Sequence, residues 1–461
     1  MLLLTVLKLF IEMKNMTIHK LFVLSIILMI SVSTIAAPEQ DKPALTDKKK
    51  AALDAKSLTI PVGYTKNLRW NLLLDSIGKN GSSISWQSGN AEYISNDGKL
   101  LKRSAPGNKK IKVSMTATIV AGKAKTTKSF TIQVAYPEQT FDGYLFAYFE
   151  GSGPRNMDEQ LRFGASTDAV NWFALNNNQP VIASEKISGT GGIRDPHILR
   201  GEDGNNFYLV ATDMSTAKNG WGHNPGIVML HSGDLVNWDH SFVDLEKKYP
   251  NKFTNVQWVW APQTIYDPAA GKYLVYFTVK FKDDLKLDFY AAYANKDFSG
   301  FESEPALMFN PKYGAIDGDI IYKDGTYHFF FKGNTKDDTG KEIKNGIRQA
   351  TAKTLQGPWI ENFEYLDAYS AKKIVVEGSS VFKLNNSTDY VLMYDLYTNH
   401  RYEFQRSKDL YEFTPIPESF TKNFFPRHGS VIGITKEEAK RLNEKWSGVP
   451  ELLLKNSKEN N

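Results

Sequence analysis

The chain has 461 residues, 41% of them apolar and 23% charged, enough to bury a large core and unlike the composition of a mainly disordered protein. It contains no cysteine, which excludes a disulfide framework and a lipid-modified thiol. The net charge of +5 hides a divided chain: residues 39–135 carry 17 basic and 7 acidic residues, a net of +10, without any nucleic-acid recognition motif, so the excess reads as solvated lysine and nucleic acid is excluded as a partner.

At the start, Lys20 precedes the apolar run Leu21 to Val32, followed by small residues up to Ala37 and then Pro38. This is the order of a secretory leader, with Met16 a better start than Met1, cleavage near Ala37, and a secreted or periplasmic bacterial product. The run is shorter than the roughly 20 residues a membrane span needs, so no span is expected after cleavage. Residues 38–55, rich in Lys, Asp and Ala, read as an exposed linker. Over 56–136, segments such as Ser83-Ile84-Ser85-Trp86 and Ile111 to Ala117 alternate with period two between Gly and Asn turns. They predict a small β-sandwich resembling bacterial immunoglobulin-like domains, a spacer or carbohydrate contact.

Residues 137–450 repeat themselves. An aromatic-led apolar strand begins at Tyr144, Tyr208, Tyr273, Tyr327 and Tyr390, spaced by 54 to 65 residues. A second element, Ser-x-Asp before an aromatic residue, recurs at Ser166 to Trp172, Ser232 to Trp238 and Ser407 to Phe413, with looser copies before Phe301 and Trp359, and its aromatic residue is expected to pack between neighbouring sheets. Five copies at this period predict an all-β fold, a five-bladed β-propeller behind the small sandwich. Only about thirty residues follow His428, too few for a blade, so the last sheet is expected to borrow the strands around Tyr144 and Phe163.

A third element opens the strand before most of the aromatic-led ones, with first positions at Asp195, Ala261, Asp317, Glu377 and His428. Placed at one register, they form a ring around the axis in which three carboxylates converge. Carboxylates crowded in a cleft push one another's pKa values apart, which supplies the acid and base that glycosidic cleavage needs. Trp260 serves either as a wall for a sugar ring or as core, Arg194 and Gln263 bond either sugar hydroxyls or a loop, and His428 is either a site residue or a satisfied buried histidine.

The segments Ile193 to His197, Trp260-Ala261-Pro262, Ala315-Ile316-Asp317, Val376-Glu377-Gly378 and Arg427-His428-Gly429 together resemble glycoside hydrolase family 43 over roughly Phe141 to Glu438. The resemblance implies an inverting mechanism with Asp195 as general base, Glu377 as general acid and Asp317 tuning that acid. Where family members commonly have proline after the second aspartate, this chain has Gly318 and then Asp319, a second candidate for the tuning role. His428 resembles the family's axial histidine, which holds a water or a cation; no cofactor is required, and a structural calcium or other cation at His428 is compatible. The expected function is an exo-acting, monomeric hydrolase removing arabinofuranosyl or related pentosyl residues from plant cell-wall oligosaccharide or polysaccharide. β-Xylosidase, galactan-side-chain hydrolase and non-catalytic carbohydrate-binding propeller stand as alternatives.

Overall fold

The computed structural model describes residues 45–105, 108–137, 139–151, 155–336, 342–367, 374–399, 401–417 and 423–455. The expected leader, 1–37, and the start of the expected linker lie outside these. Two compact units emerge: one of residues up to Leu58 with 76–85 and 118–127, the other of 59–75, 86–117 and everything from Lys128 onward.

In the first unit the expected exposed linker is corrected. Asp47–Ser57 is an α-helix, because Lys48 to Leu53 are good helix formers and the Thr46 hydroxyl caps the start by accepting from the Lys49 amide. Asp54 is buried, with Oδ1 accepting from the Asn80 backbone and side chain at 2.8 and 2.7 Å and Oδ2 from the Ser82 amide at 3.1 Å. A short run of lysines therefore hides an anchored helix rather than a tether.

The expected two-sheet sandwich is also revised. Strands β1 (Ser83–Ser88), β2 (Lys112–Ala121) and β3 (Ala124–Gln133) form one three-stranded sheet in that order. The remaining described segments add isolated bridges, Leu68 to Val134, Ile77 to Ser83 and Ile94 to Leu100, rather than a second sheet. Along β2 the inward residues Val113, Met115, Ala117 and Ile119 alternate with more exposed ones, the period-two signature of a half-buried strand.

The rest of the second unit is built from four-stranded antiparallel sheets, five among the described residues. The first runs β7 (Ile193–Arg200), β8 (Phe207–Asp213), β9 (Gly226–Ser232), β10 (Asp239–Asp244). The second runs β11 (Val256–Asp267), β12 (Lys272–Phe281), β13 (Asp288–Tyr293), β14 (Ala306–Phe309). The third runs β15 (Ala315–Lys323), β16 (Thr326–Lys336), β17 (Glu342–Ala352), β18 (Ile360–Asn362). The fourth runs β19 (Glu377–Lys383), β20 (Tyr390–Leu396), β21 (Arg401–Ser407), β22 (Thr414–Pro415).

The fifth sheet joins the two ends of this region, as expected: β23 (Ser430–Ile434) pairs with β4 (Gly143–Tyr148), which continues to β5 (Arg162–Ser166) and β6 (Trp172–Ala174). Ser430 faces Ala147 and Ile434 faces Gly143 in this register. The first strands touch in cyclic succession, β7 with β11, β11 with β15, β15 with β19, β19 with β23 and β23 with β7.

The Ser-x-Asp repeat is a turn device. In its first copy the Ser166 hydroxyl accepts from the Asp168 and Ala169 amides, Asp168 Oδ1 accepts from the Val170 and Asn171 amides, and Ala169 takes a left-handed φ of 65°. The same bonds recur at Ser232 and Asp234 and at Ser407 and Asp409, with Leu235 and Leu410 at φ 69° and 68°. This turn drives Trp172 inward, fully buried, its indole N–H bonded to the Ala169 carbonyl, into a cluster with Phe382, Met393 and Phe404 of the neighbouring sheet.

The C-terminal helix, Lys436–Trp446, starts with a capping box of Thr435 and Glu438 and covers the apolar cluster of the first and fifth sheets through Ala439, Leu442 and Trp446. Glu438 is also the buried partner of Arg200, taking its two terminal nitrogens at 2.8 and 2.7 Å. Glu438→Gln leaves that guanidinium without its counter-ion and is expected to cost roughly 3–5 kcal/mol in urea unfolding. A loss below about 1 kcal/mol shows that the helix does not depend on this pair.

Candidate active site

Each of the first four inner strands carries a bulge, between Arg194 and His197, Trp260 and Gln263, Ile316 and Asp319, and Glu377 and Ser380. The first of the two residues that face one partner in each bulge has a left-handed φ: Asp195 at 50°, Ala261 at 46°, Asp317 at 54° and Gly378 at 64°. Three non-glycine residues in that region store backbone strain of the kind concentrated at functional sites, about 1–3 kcal/mol each. The fifth strand matches, with Pro426 bridged to Glu150, the Arg427 amide bonded to the Phe149 carbonyl and Ser430 facing Ala147.

These bulges correct the expected register. Asp195, Ala261, Asp317, Gly378 and His428 are equivalent, whereas Glu377 sits one position earlier, with Arg194, Trp260, Ile316 and Arg427. Glu377 stands opposite Asp395 just before its bulge and joins the site through Lys332 and Arg427. Gly378 is required where it stands: a Cβ there would lie 2.8 Å from the His428 Cβ.

The structure brings Asp195, Asp317 and His428 together. His428 Nδ1 lies 3.3 Å from Asp195 Oδ1 and 3.8 Å from Asp317 Oδ1. The Thr212 hydroxyl donates to Asp195 Oδ2 at 3.0 Å, and the Gly378 amide donates to Asp317 Oδ2 at 3.0 Å. Glu377 takes Lys332 Nζ on Oε2 at 2.8 Å and Arg427 on Oε1 at 2.7 Å, and Arg427 Nε reaches Asp395 Oδ2 at 2.6 Å.

The charges follow. Burial pushes the Asp195 carboxyl up, but the hydrogen bond and charge of His428, with Arg194 and Thr212, outweigh it and hold Asp195 below the usual range, ionised. Burial with the charges of Glu377 and Asp195 raises Asp317 in spite of His428 and Lys332. His428, though buried, is pushed up to about 9 by Asp317 and Asp195 and is an imidazolium.

Glu377 departs from expectation in its protonation. Burial raises it, yet Lys332 and Arg427 prevail and hold it below the usual range. At rest Glu377 is therefore without the proton that the expected role of acid requires.

Around this centre, Trp260 stacks on Trp258 at 4.3 Å and meets Trp221, 61% exposed, edge-on at 6.3 Å. This aromatic group is a wall of the kind sugars use. Arg194 lies between the Phe149 and Trp221 rings, 4.6 and 5.0 Å from their centroids, and bonds Glu159 at 3.1 Å. Gln263 is corrected: it is 1% exposed and accepts from the Tyr276 hydroxyl at 3.3 Å, a core residue one layer below. Asp319 lies in that layer too, bonded by the Val381 amide at 2.7 Å and 3.6 Å from His197, whereas Asp317 faces His428.

Sequence reasoning missed Lys332, Asp395, Arg427 and Glu159. A signal for the first two exists. Thr212, Thr278, Lys332, Asp395 and Phe149 each stand five residues after Phe207, Tyr273, Tyr327, Tyr390 and Tyr144, and four of them pair directly with the pre-bulge residues, Thr212 with Arg194, Thr278 with Trp260, Lys332 with Ile316 and Asp395 with Glu377. Phe149 completes the set through its bond to the Arg427 amide.

Residues 139–440 match the family model described as a probable glycosyl hydrolase domain related to glycoside hydrolase family 43. The chain belongs to this family. In this glycoside hydrolase family 43-related protein, residues 47–136 also match an atrophied bacterial Ig domain, a span that begins at the helix rather than at the strands. A curated relative, an alpha-L-arabinofuranosidase of Bifidobacterium longum subsp. longum, is 28% identical over 392 residues, covering 74% of this chain and 36% of its own length. The chain thus spans about a third of that relative. Solved structures with some likeness include an alpha-L-arabinofuranosidase from Clostridium thermocellum (11% identity, 69% of this chain and 95% of that one, TM-score 0.42) and an enzyme from Xanthomonas citri complexed with xylose (17%, 51% and 74%, TM-score 0.39).

His428 ties this site to stability. Its ordinary value is 6.5 and its folded value about 9, so its stabilising contribution is complete below pH 6.5 and lost as pH rises through 9. Unfolding free energy from urea titrations at stepped pH is expected to fall across that window in wild type, and His428→Gln is expected to flatten the fall. A wild-type protein equally stable at pH 6.5 and 9 refutes the imidazolium.

Proposed function

We propose that the protein is an inverting, exo-acting glycoside hydrolase whose five four-stranded sheets are the blades of a β-propeller, and that it removes arabinofuranosyl or related pentosyl residues from plant polysaccharide. The observation that carries this is the meeting of Asp195 and Asp317 at His428, with Glu377 joined to them through the Gly378 amide on Asp317, from three strands far apart in sequence. The cyclic contact of the five inner strands supports the propeller. The name of the curated relative favours arabinofuranose over xylose. The charged, apolar and small residues from Lys20 to Ala37 support export by a cleaved leader.

In the reaction, ionised Asp195 takes a proton from water as the water attacks the anomeric carbon, and Glu377 delivers a proton to the departing oxygen. His428 balances Asp195 and Asp317 in the resting site. Asp317, bonded to the amide next to Glu377, fixes the Glu377 backbone and bears on its charge. Trp260 and Trp221 offer apolar faces to a sugar ring.

The test is product release from arabinan, arabinoxylan and arabinogalactan, with anomeric configuration followed by NMR in the first turnover. Inversion is expected, and Asp195→Asn and Glu377→Gln are each expected to lower kcat by about 100-fold or more with the fold intact by circular dichroism. Retention of configuration overturns Asp195 as a base. A second reading, carbohydrate binding without turnover, is favoured by the two cations that keep Glu377 ionised. Under that reading wild type and Glu377→Gln release equal, negligible product while arabinan still quenches the tryptophan fluorescence.

A further inference from the structure

Asp395 is a carboxylate that the expected catalytic set does not contain, yet the sheet places it directly opposite Glu377 in the β19 and β20 ladder. It is 1% exposed, and its two oxygens are unequal. Oδ2 holds Arg427 Nε at 2.6 Å, while Oδ1 is buried with no hydrogen-bond partner. The same guanidinium gives a terminal nitrogen to Glu377 at 2.7 Å. One cation is therefore shared between two buried carboxylates, by two different nitrogens of a planar fork that cannot turn toward one without leaving the other.

We infer that Asp395 is a positioning residue: by drawing on the Arg427 guanidinium it offsets part of the positive charge that otherwise falls on Glu377, and so lets Glu377 take up the proton it must deliver to the leaving group. This rests on the hydrolase reading above. Without Asp395 the Glu377 carboxylate faces Lys332 on one oxygen and an unshared Arg427 on the other, and its ionised form becomes still more favoured.

The groups facing Asp395 are Arg427 and His428, which favour its charge, and Glu377, Tyr397 and Tyr402, which meet it as neighbouring titratable groups. Burial dominates and brings Asp395 up to about 7. As the pH rises through this value Asp395 gains its charge, and the pull of Arg427 on Glu377 weakens. The proton-holding capacity of Glu377 is thereby sustained toward higher pH.

The test is Asp395→Asn, which keeps the shape and removes the charge. A leaving group that departs well as an anion needs little help from an acid, whereas a sugar hydroxyl needs the acid fully. At pH 7 and above the variant is expected to lose about 100-fold in kcat/KM on an unactivated oligosaccharide and less than about 3-fold on a 2,4-dinitrophenyl glycoside, with the alkaline limb of the pH profile moved to lower pH. Equal losses on both substrates with an unmoved limb overturn the proposal. If Asp395→Asn does not fold, Arg427→Lys, which keeps the charge and loses the fork, is expected to show the same split, and its absence is equally fatal.

Should the wild-type protein cleave no glycoside, the hydrolase reading fails by itself, and carboxyl NMR titration still decides the electrostatic claim. The Glu377 carboxyl resonance of wild type is expected to show a step near pH 7, where Asp395 gains its charge, that Asp395→Asn abolishes, and a wild-type resonance without that step overturns the claim.

Discussion

The inner-strand bulge is the constraint on which the rest depends. An ordinary ladder alternates side chains between two faces, so neighbouring residues cannot serve one site. Here the left-handed φ of the first bulge residue breaks that alternation, so that this residue and the one before it serve the same place. Asp195 and Arg194 contribute together, as do Glu377 and the amide of Gly378. The strain is carried by the sheets behind, whose buried aromatic clusters hold each bulge in register.

That convergence creates a charge problem that the second strands solve. Four carboxylates, Asp195, Asp317, Glu377 and Asp395, two buried and two half-buried, are balanced by His428, Arg427 and Lys332. Two of the cations are shared: His428 serves two carboxylates and Arg427 another two. In a low-dielectric interior such sharing makes each protonation state depend on its neighbours, so the pair Glu377 and Asp395 titrates as a unit rather than as two independent acids.

Much of this was legible in the chain. The period of the aromatic-led strands announced repeated sheets, and the shortfall after His428 announced that the last sheet borrows Tyr144 and Phe163, because each repeat supplies a fixed set of strands. The Ser-x-Asp turns were visible because the bonds that make them are local. What escaped was the register of Glu377, since a bulge leaves Gly378 and not Glu377 in the left-handed position and the sequence does not number its own ladder. Gln263 looked like a sugar ligand from its place beside Trp260, but the bulge carries it past the mouth into the layer where Tyr276 meets it.

The lysine-rich stretch before the first strands shows the same limit, because Asp54 becomes a buried anchor only when Asn80 and Ser82 come to it from a distant turn. The sequence by itself determined an all-β chain with repeated sheets, the carboxylates Asp195, Asp317 and Glu377, and the meeting of its ends in one sheet, because periodicity and turn chemistry are written in neighbouring residues. Only the tertiary structure decided which cation each carboxylate holds, and hence which of them keeps a proton. Arg427 and Lys332 reach Glu377 across 50 and 45 residues of chain, and no local pattern encodes such a distance.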